Sequence, residues 1–360
     1  MSQSGLCDLN PDRSIMKTIV YFLGAGFSVP AGLPVISNFL FKAKDQLAQD
    51  PEKYKHFAEV FQYIDSLSKA KNFTNIDLYN IEEIFSIADT HELLGHKHKE
   101  NLEQFIKDVI EYHTPKFSSQ LGSTDIVGQV NVHGLFGSSE RCRHYVLFVS
   151  SLLNVCLSGT PNATGDLLVN EVTAEKCQSD HCYKVITLNY DTIIEDALKL
   201  LNSYGNGHLT IDLAKLHGSV DKTIIPPTWN KQLGGEINTQ WTNAAKWLKD
   251  ATEIRILGYS MPQTDVYIKH LFGTALMESL NLQQIDVLCL DPDGTVSERY
   301  NHMFTFPRYK FYNVDLTEYI NAFSVSGQKR PPQLKTNPVV CEDRHANMIR
   351  VYKERGVSSS

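Results

Sequence analysis

Two hydrophobic rhythms alternate along the chain. Lys17 to Leu23 is a short run rich in β-branched and aromatic side chains that goes straight into Gly24, which predicts a buried strand closed by a glycine turn. A helix-like stretch follows from Ser37 to Ala48. From about Asp50 to Asp180 the helical period takes over. YKHFAEVFQYIDSLSKA, IEEIFSIADTHELL, NLEQFIKDVIEY and CRHYVLFVSSLLNVCL all carry apolar residues three and four apart, as amphipathic helices do. Polar breaks at 72–75 and 122–139 separate them, and no fixed-period repeat points to a solenoid.

After Cys182 the strand rhythm returns. YKVITLNYD leads into the helix-like TIIEDALKLLNS, and DLAKLHGSVD, EIRILGYS, QIDVLCLDPDG and YKFYNV follow. Strands alternating with helix-sized segments favour right-handed crossovers and a mostly parallel sheet buried on both faces. The predicted class is therefore α/β, a Rossmann-like open, mostly parallel sheet with a helical insertion domain. The expected boundaries are a leader at 1–16, the sheet domain at 17–48 and 181–322, the helical insertion at 49–180, and a polar, surface-draped extension at 323–360.

Composition narrows the possible functions. The 360 residues suggest about two domains, and 42% hydrophobic against 21% charged residues excludes wholesale disorder. The net charge of -7 offers no global attraction to nucleic acid or anionic lipid. No direct nucleic-acid partner is expected. The apolar stretches Thr18 to Leu23 and Tyr145 to Leu153 fall short of the ~20 residues that span a bilayer, and the N-terminus lacks the pattern of a secretory signal. Seven scattered cysteines fit a reducing cytoplasm better than a disulfide framework. Cys177, His181 and Cys182, and the cluster His91, His96 and His98, lack the paired C-x-x-C spacing of a zinc site. No metal is expected.

Five strand ends carry candidate chemistry. Gly24-Ala25-Gly26-Phe27-Ser28 follows the first strand, where an open α/β sheet binds phosphate; the alternative is a purely steric turn. The third glycine of a dehydrogenase fingerprint would fall on Val29, which disfavours hydride chemistry. Asn189 and Asp191 close the TLNYD strand and either face a ligand or cap the next helix. His217, in LHGS, has the side chain for a general base near neutral pH; a structural role is the alternative. LGYSMP and LDPDG supply Gly258, Ser260 and Asp291. Tyr259, Trp229 and Asn230 either line the same crevice or pack beneath a loop.

The series GAGFSVPAGLP, TLNYD, LHGS, IIPPTWNK, LGYSMP and LDPDG resembles the sirtuin-like superfamily, in particular the bacterial sirtuin-like NAD hydrolases of antiphage defence. The resemblance runs from about Lys17 to Val314. It implies that Gly24, Ala25, Gly26 and Ser28 hold the NAD diphosphate. It further implies that Asn189 orients ribose and water, Asp191 sits near the nicotinamide carboxamide, and His217 takes a proton. Gly258 and Ser260 match the adenosine-side loop, and Asp291 falls where sirtuins usually have an asparagine at the adenine ribose. Deacylases of this superfamily usually carry a four-cysteine zinc ribbon after the catalytic histidine, but this chain has no cysteine between Cys182 and Cys289.

Water is therefore the expected acceptor, and NAD the expected substrate. The implied activity is an NAD glycohydrolase that depletes cellular NAD during phage infection. A non-catalytic NAD or ADP-ribose sensor and an NAD-dependent protein deacylase are the alternatives. The resemblance also implies gating, through a homo-oligomer, a HerA-like ATPase or a phage-protein trigger.

Overall fold

The computed structural model describes residues 16–117, 140–159, 173–176, 179–204, 208–225, 235–263, 265–323, 334–335 and 341–359. The first half holds β1 (Lys17–Leu23), the single-turn α1 (Ala25–Ser28), α2 (Phe39–Gln49), α3 (Phe57–Leu67), α4 (Ile81–Leu93), α5 (Lys99–His113) and α6 (Glu140–Leu152). Next come β2 (Val155–Gly159), β3 (Thr173–Lys176), β4 (His181–Thr187), α7 (Ile193–Tyr204), β5 (Asp212–Lys215) and α8 (Gly235–Asp250). The remainder is β6 (Glu253–Leu257), α9 (Val266–Met277), β7 (Gln284–Cys289), α10 (Thr295–Met303), β8 (Tyr309–Asn313), α11 (Leu316–Asn321), β9 (Leu334–Lys335), α12 (Cys341–Glu354) and β10 (Ser358–Ser359).

The main sheet runs β10-β8-β7-β6-β1-β4-β5. All its pairings are parallel except β10 with β8. This is the α/β class the alternating pattern predicts. From β5 to β8 the order is that of a Rossmann sheet, and β1 is its central strand. After β5 the chain crosses to the other side of β1 and continues with β6, so the sheet changes direction next to β1.

Alternation along β1 explains why it suits the centre. Ile19, Tyr21 and Leu23 join one buried cluster with Tyr145 and Phe148 of α6. Val20 and Phe22 point the other way, into a second cluster with Leu248 of α8 and Phe272 of α9. These five residues of β1 have 0% exposure, as a strand covered on both faces requires. The three middle strands also end level: Leu23 is opposite Thr187 on β4 and Leu257 on β6. Whatever follows each strand therefore meets at one rim.

Two features differ from the sequence expectation. Residues 49–180 are not wholly helical, because β2 and β3 pair within them and β2 also pairs with β9 in a small antiparallel sheet. Nor do residues 341–359 drape over the surface. Helix α12 buries Cys341, His345, Met348, Ile349 and Tyr352, and β10 pairs with β8. The polar look of this helix hides a buried polar network. Arg255 on β6 is 1% exposed; it donates to both carboxylate oxygens of Glu342 (2.8 and 2.5 Å), to Glu253 (2.9 Å) and to the Tyr21 hydroxyl (2.8 Å). Charged residues in this stretch, expected to belong to a polar, surface-draped extension, are thus an anchor. No helix among the described residues is long and apolar enough to cross a membrane.

Candidate active site

The rim beyond β1, β4 and β6 is closed by interlocking backbone. Gly24 N–H donates to Leu257 O and Gly26 N–H to Gly258 O, each at 2.9 Å. A Cβ at Gly24 would stand 2.5 Å from Tyr259 Cα, and one at Gly258 would stand 2.4 Å from Phe27 N. Gly258 also has φ +66°, a conformation that disfavours side chains. These glycines let two strand ends touch. The Gly24, Gly26 and Phe27 N–H groups are all spent inside the protein, so the turn offers a ligand fewer donors than its glycines suggest.

Asn189 is fixed across this rim. Its backbone N–H donates to Thr187 Oγ1 at 3.0 Å, and its side-chain Nδ2 donates to Gly24 O and Ser28 Oγ, both at 2.9 Å. The Ser28 hydroxyl in turn donates to Asp191 Oδ2 at 2.7 Å. Asp191 also accepts from Ile193 N–H at 3.2 Å, so it caps α7 with one oxygen and meets Ser28 with the other. The helix-capping reading of this residue therefore holds. Lys215 donates to the Asp191 carbonyl and, at 2.9 Å, to Glu195.

His217 follows β5 and is 4% exposed. The chain turns sharply after it, at Gly218 with φ +78°, where a Cβ would stand 2.0 Å from Thr223 O. The Tyr190 and His217 rings lie 6.1 Å apart. Burial pushes the Tyr190 phenol well above its ordinary range, with the carboxylates of Glu82 and Asp265 adding to it.

A cleft enclosing about 960 Å³, open mouth included, gathers these groups. Gly24, Ala25, Ser28, Asn189, Asp191, His217, Gly258 and Ser260 all line it. Gly26 is not on its wall and serves the backbone contact. Asp291 is also apart: it is 2% exposed, and its two oxygens accept from Val296 and Ser297 N–H at 3.0 and 2.9 Å. It caps α10. Tyr259 does line the cleft and donates to Asp265 at 3.0 Å. Trp229 and Asn230 lie outside the described residues, as does Cys177.

The helical block forms a wall of the cleft that no motif marks. Ile81, Glu82 and Phe85 of α4, Ile106 and Ile110 of α5, and Phe39 of α2 line it. Their spacing fits the apolar stripe of any packed helix, so nothing marked them out. Asp265 was missed for lack of a motif. His91 and His98 pack on Tyr63, whose hydroxyl is 3.0 Å from His91 Nδ1, and His96 packs against both histidines. Among the described residues no group of three His, Cys, Asp or Glu side chains could hold a metal ion.

No protein-family model and no curated protein matches the chain. Among solved structures it is similar to Sir2Tm bound to a propionylated peptide, at 13% identity over 84% of this chain and 90% of that one, with TM-score 0.38. It is similar to Sir2 with p53 peptide and NAD+, at 12% identity over 84% and 90%, with TM-score 0.31. A structure described for the mechanism and regulation of Sir2 enzymes covers 93% and 94%, at 12% identity and TM-score 0.34. Likeness at this level assigns no activity.

Proposed function

We propose that the protein cleaves the bond between nicotinamide and ribose in NAD and passes the ADP-ribosyl group to water. One observation carries this reading: Asn189, held by Gly24 and Ser28, lines one cleft with Asp191 and His217 at the crevice where open α/β sheets take ligands. The resemblance of the motif series to sirtuin-like NAD hydrolases supplies the substrate.

The proposed chemistry follows from the bonds Asn189 already makes. Both hydrogens of its amide are committed, which leaves Oδ1 to accept from an attacking water or a ribose hydroxyl. Nicotinamide leaves as a neutral group from a cationic ring, so ribose builds up oxocarbenium character as the bond breaks. The Asp191 carboxylate, anchored by Ser28, supplies negative charge near that centre. His217 takes the proton released as water attacks, a role worth typically 10²–10⁴-fold. In an infected cell this reaction would deplete NAD, with a homo-oligomer, a HerA-like ATPase or a phage protein as the gate.

A second reading, transfer to an acyl-lysine, draws on the apolar wall of Phe39, Phe85, Ile106 and Ile110, which would suit an acyl chain. One assay separates the two. Purified protein is given NAD with and without an acetyl-lysine peptide, and nicotinamide and ADP-ribose are measured alongside Asn189→Ala and His217→Ala. Peptide-independent release that both substitutions abolish is the expected result. Release that needs the peptide selects the deacylase, and wild-type rates in both variants overturn the site.

A further inference from the structure

The four residues after Ser28, Val29 to Gly32, border a second cavity. Four side chains able to carry positive charge line it: Lys42, His113, Arg141 and His144. Lys42 donates to Gly32 O at 2.6 Å. The Arg141 guanidinium lies over the same residue, since a Cβ at Gly32 would stand 3.0 Å from it.

No Asp or Glu is among the described lining residues. Neither Lys42 nor Arg141 pairs with a carboxylate among the described residues. Burial and the charge of Arg141 hold the Lys42 ammonium below its ordinary range. Burial and Lys42 likewise lower His113, against an upward pull from Asp45, which is exposed on α2. His113 Nε2 is buried without a hydrogen-bond partner among the described residues. The Lys42 ammonium and the Arg141 guanidinium thus face one concave site with no carboxylate among its described lining residues, and an anion with several oxygens relieves that positive potential while giving the His113 imidazole a partner. Tyr112 and Ile320 add apolar atoms to the lining.

We infer that this cavity binds a phosphorylated small molecule, its phosphate between Lys42 and Arg141 and its apolar body against Tyr112 and Ile320. The site goes beyond the proposed NAD reaction and bears on it through the shared turn. Tyr145 lines the cavity and donates to Phe27 O at 2.6 Å, one residue before Ser28. An occupant that braces Val29 to Gly32 therefore stiffens the segment that holds Asn189 and Asp191.

Inorganic pyrophosphate is the probe, read by titration calorimetry on the full chain. Wild type is expected to bind it at one site, with Arg141→Glu weakening binding at least tenfold. Arg141 is exposed, so its replacement spares the core; Lys42→Gln is the second, uncharged test and weakens binding in the same direction. Arg299→Glu makes the same charge change beside the first cleft, where Arg299 donates to Ser260 O at 3.3 Å, and is expected to bind as wild type does. Absence of wild-type binding at millimolar pyrophosphate, or equal losses in Arg141→Glu and Arg299→Glu, overturns the site. Hydrogen exchange across 27–33 reads the coupling: pyrophosphate slows it in wild type and not in Arg141→Glu, and unchanged wild-type exchange overturns the link. Both readouts are independent of NAD turnover, so an inactive protein leaves them intact.

Discussion

Asn189 Nδ2 lies 2.9 Å from Ser28 Oγ although 161 positions separate the two residues. The bond ties the end of β4 to the turn after β1, and Ser28 extends it to Asp191 at 2.7 Å. One hydroxyl thereby sets the orientation of both an amide and a carboxylate.

Ser28→Ala removes that hydroxyl while leaving Gly24 O to hold Asn189. Small displacements of positioned groups cost about 10²-fold in rate, and a loss of that order in nicotinamide release is expected. Calorimetric melting should show a folded protein. Undiminished turnover would show that Ser28 positions nothing of consequence.

His217→Ala should lower NAD cleavage by roughly 10²–10⁴-fold, the usual contribution of a placed acid or base. Direct NAD binding by the variant separates loss of chemistry from loss of substrate. A variant that neither binds nor cleaves would move His217 from proton transfer to binding.

Gly258→Ala is expected to destabilise the protein by roughly 2–4 kcal/mol, because a left-handed residue and a backbone collision are both imposed. The Cβ would stand 2.4 Å from Phe27 N, and backbone cannot rotate away as a side chain can. Urea unfolding measures the effect. A midpoint equal to wild type would mean that the two strand ends can part.

Arg255→Met leaves Glu342 and Glu253 facing each other without the guanidinium between them. Breaking a buried pair in this way costs about 3–5 kcal/mol. Adding Glu342→Gln should recover part of the loss, since it removes the stranded charge. Chemical denaturation of the single and double variants tests this, and strictly additive losses would contradict it.

Acid should weaken the α12 anchor in two stages. Burial and the charge of Arg255 lower His345 despite its contact with Asp286 at 3.2 Å, and Glu342 is a further carboxylate facing it. Burial would raise Glu342, but hydrogen bonds and charge from Arg255 outweigh it and hold the carboxyl below its usual range. For both groups the unfolded chain binds protons more readily, so stability rises with pH. The His345 contribution is complete above its unfolded pKa of ~6.5 and is lost as pH falls through the lower folded value; that of Glu342 fades below about 4.3. His345→Gln should flatten the melting temperature between about pH 6.5 and 5. An unchanged slope there would remove His345 from the account.

Strand ends are where the sequence was most legible. Gly24, Asn189, His217 and Gly258 each follow an apolar run, and parallel pairing brings such ends to one rim. Asp291 satisfies the same rule but turns back to cap α10, a choice that depends on the path after Gly294 and leaves no trace in strand pattern. Ile81 and Phe85 were hidden for the opposite reason: an apolar helical stripe looks the same against a core or a cleft. Residues 341–359 misled because Glu342 and His345 count as surface residues until Arg255 and Asp286 are found beneath them.

The central place of β1 also bears on synthesis. Its first partner strand begins at His181, so at roughly 5–20 residues per second β1 waits on the order of 10–30 s for a neighbour. Its other partner, β6, begins later still, at Glu253. A nascent chain ending at Asp191 already carries Ser28 and Asn189 but lacks both His217 and Gly258. The cleft thus comes into being only once the chain has passed Asp265, the last residue to line it, and until then the ribosome that makes this protein works beside a chain whose site is not yet assembled.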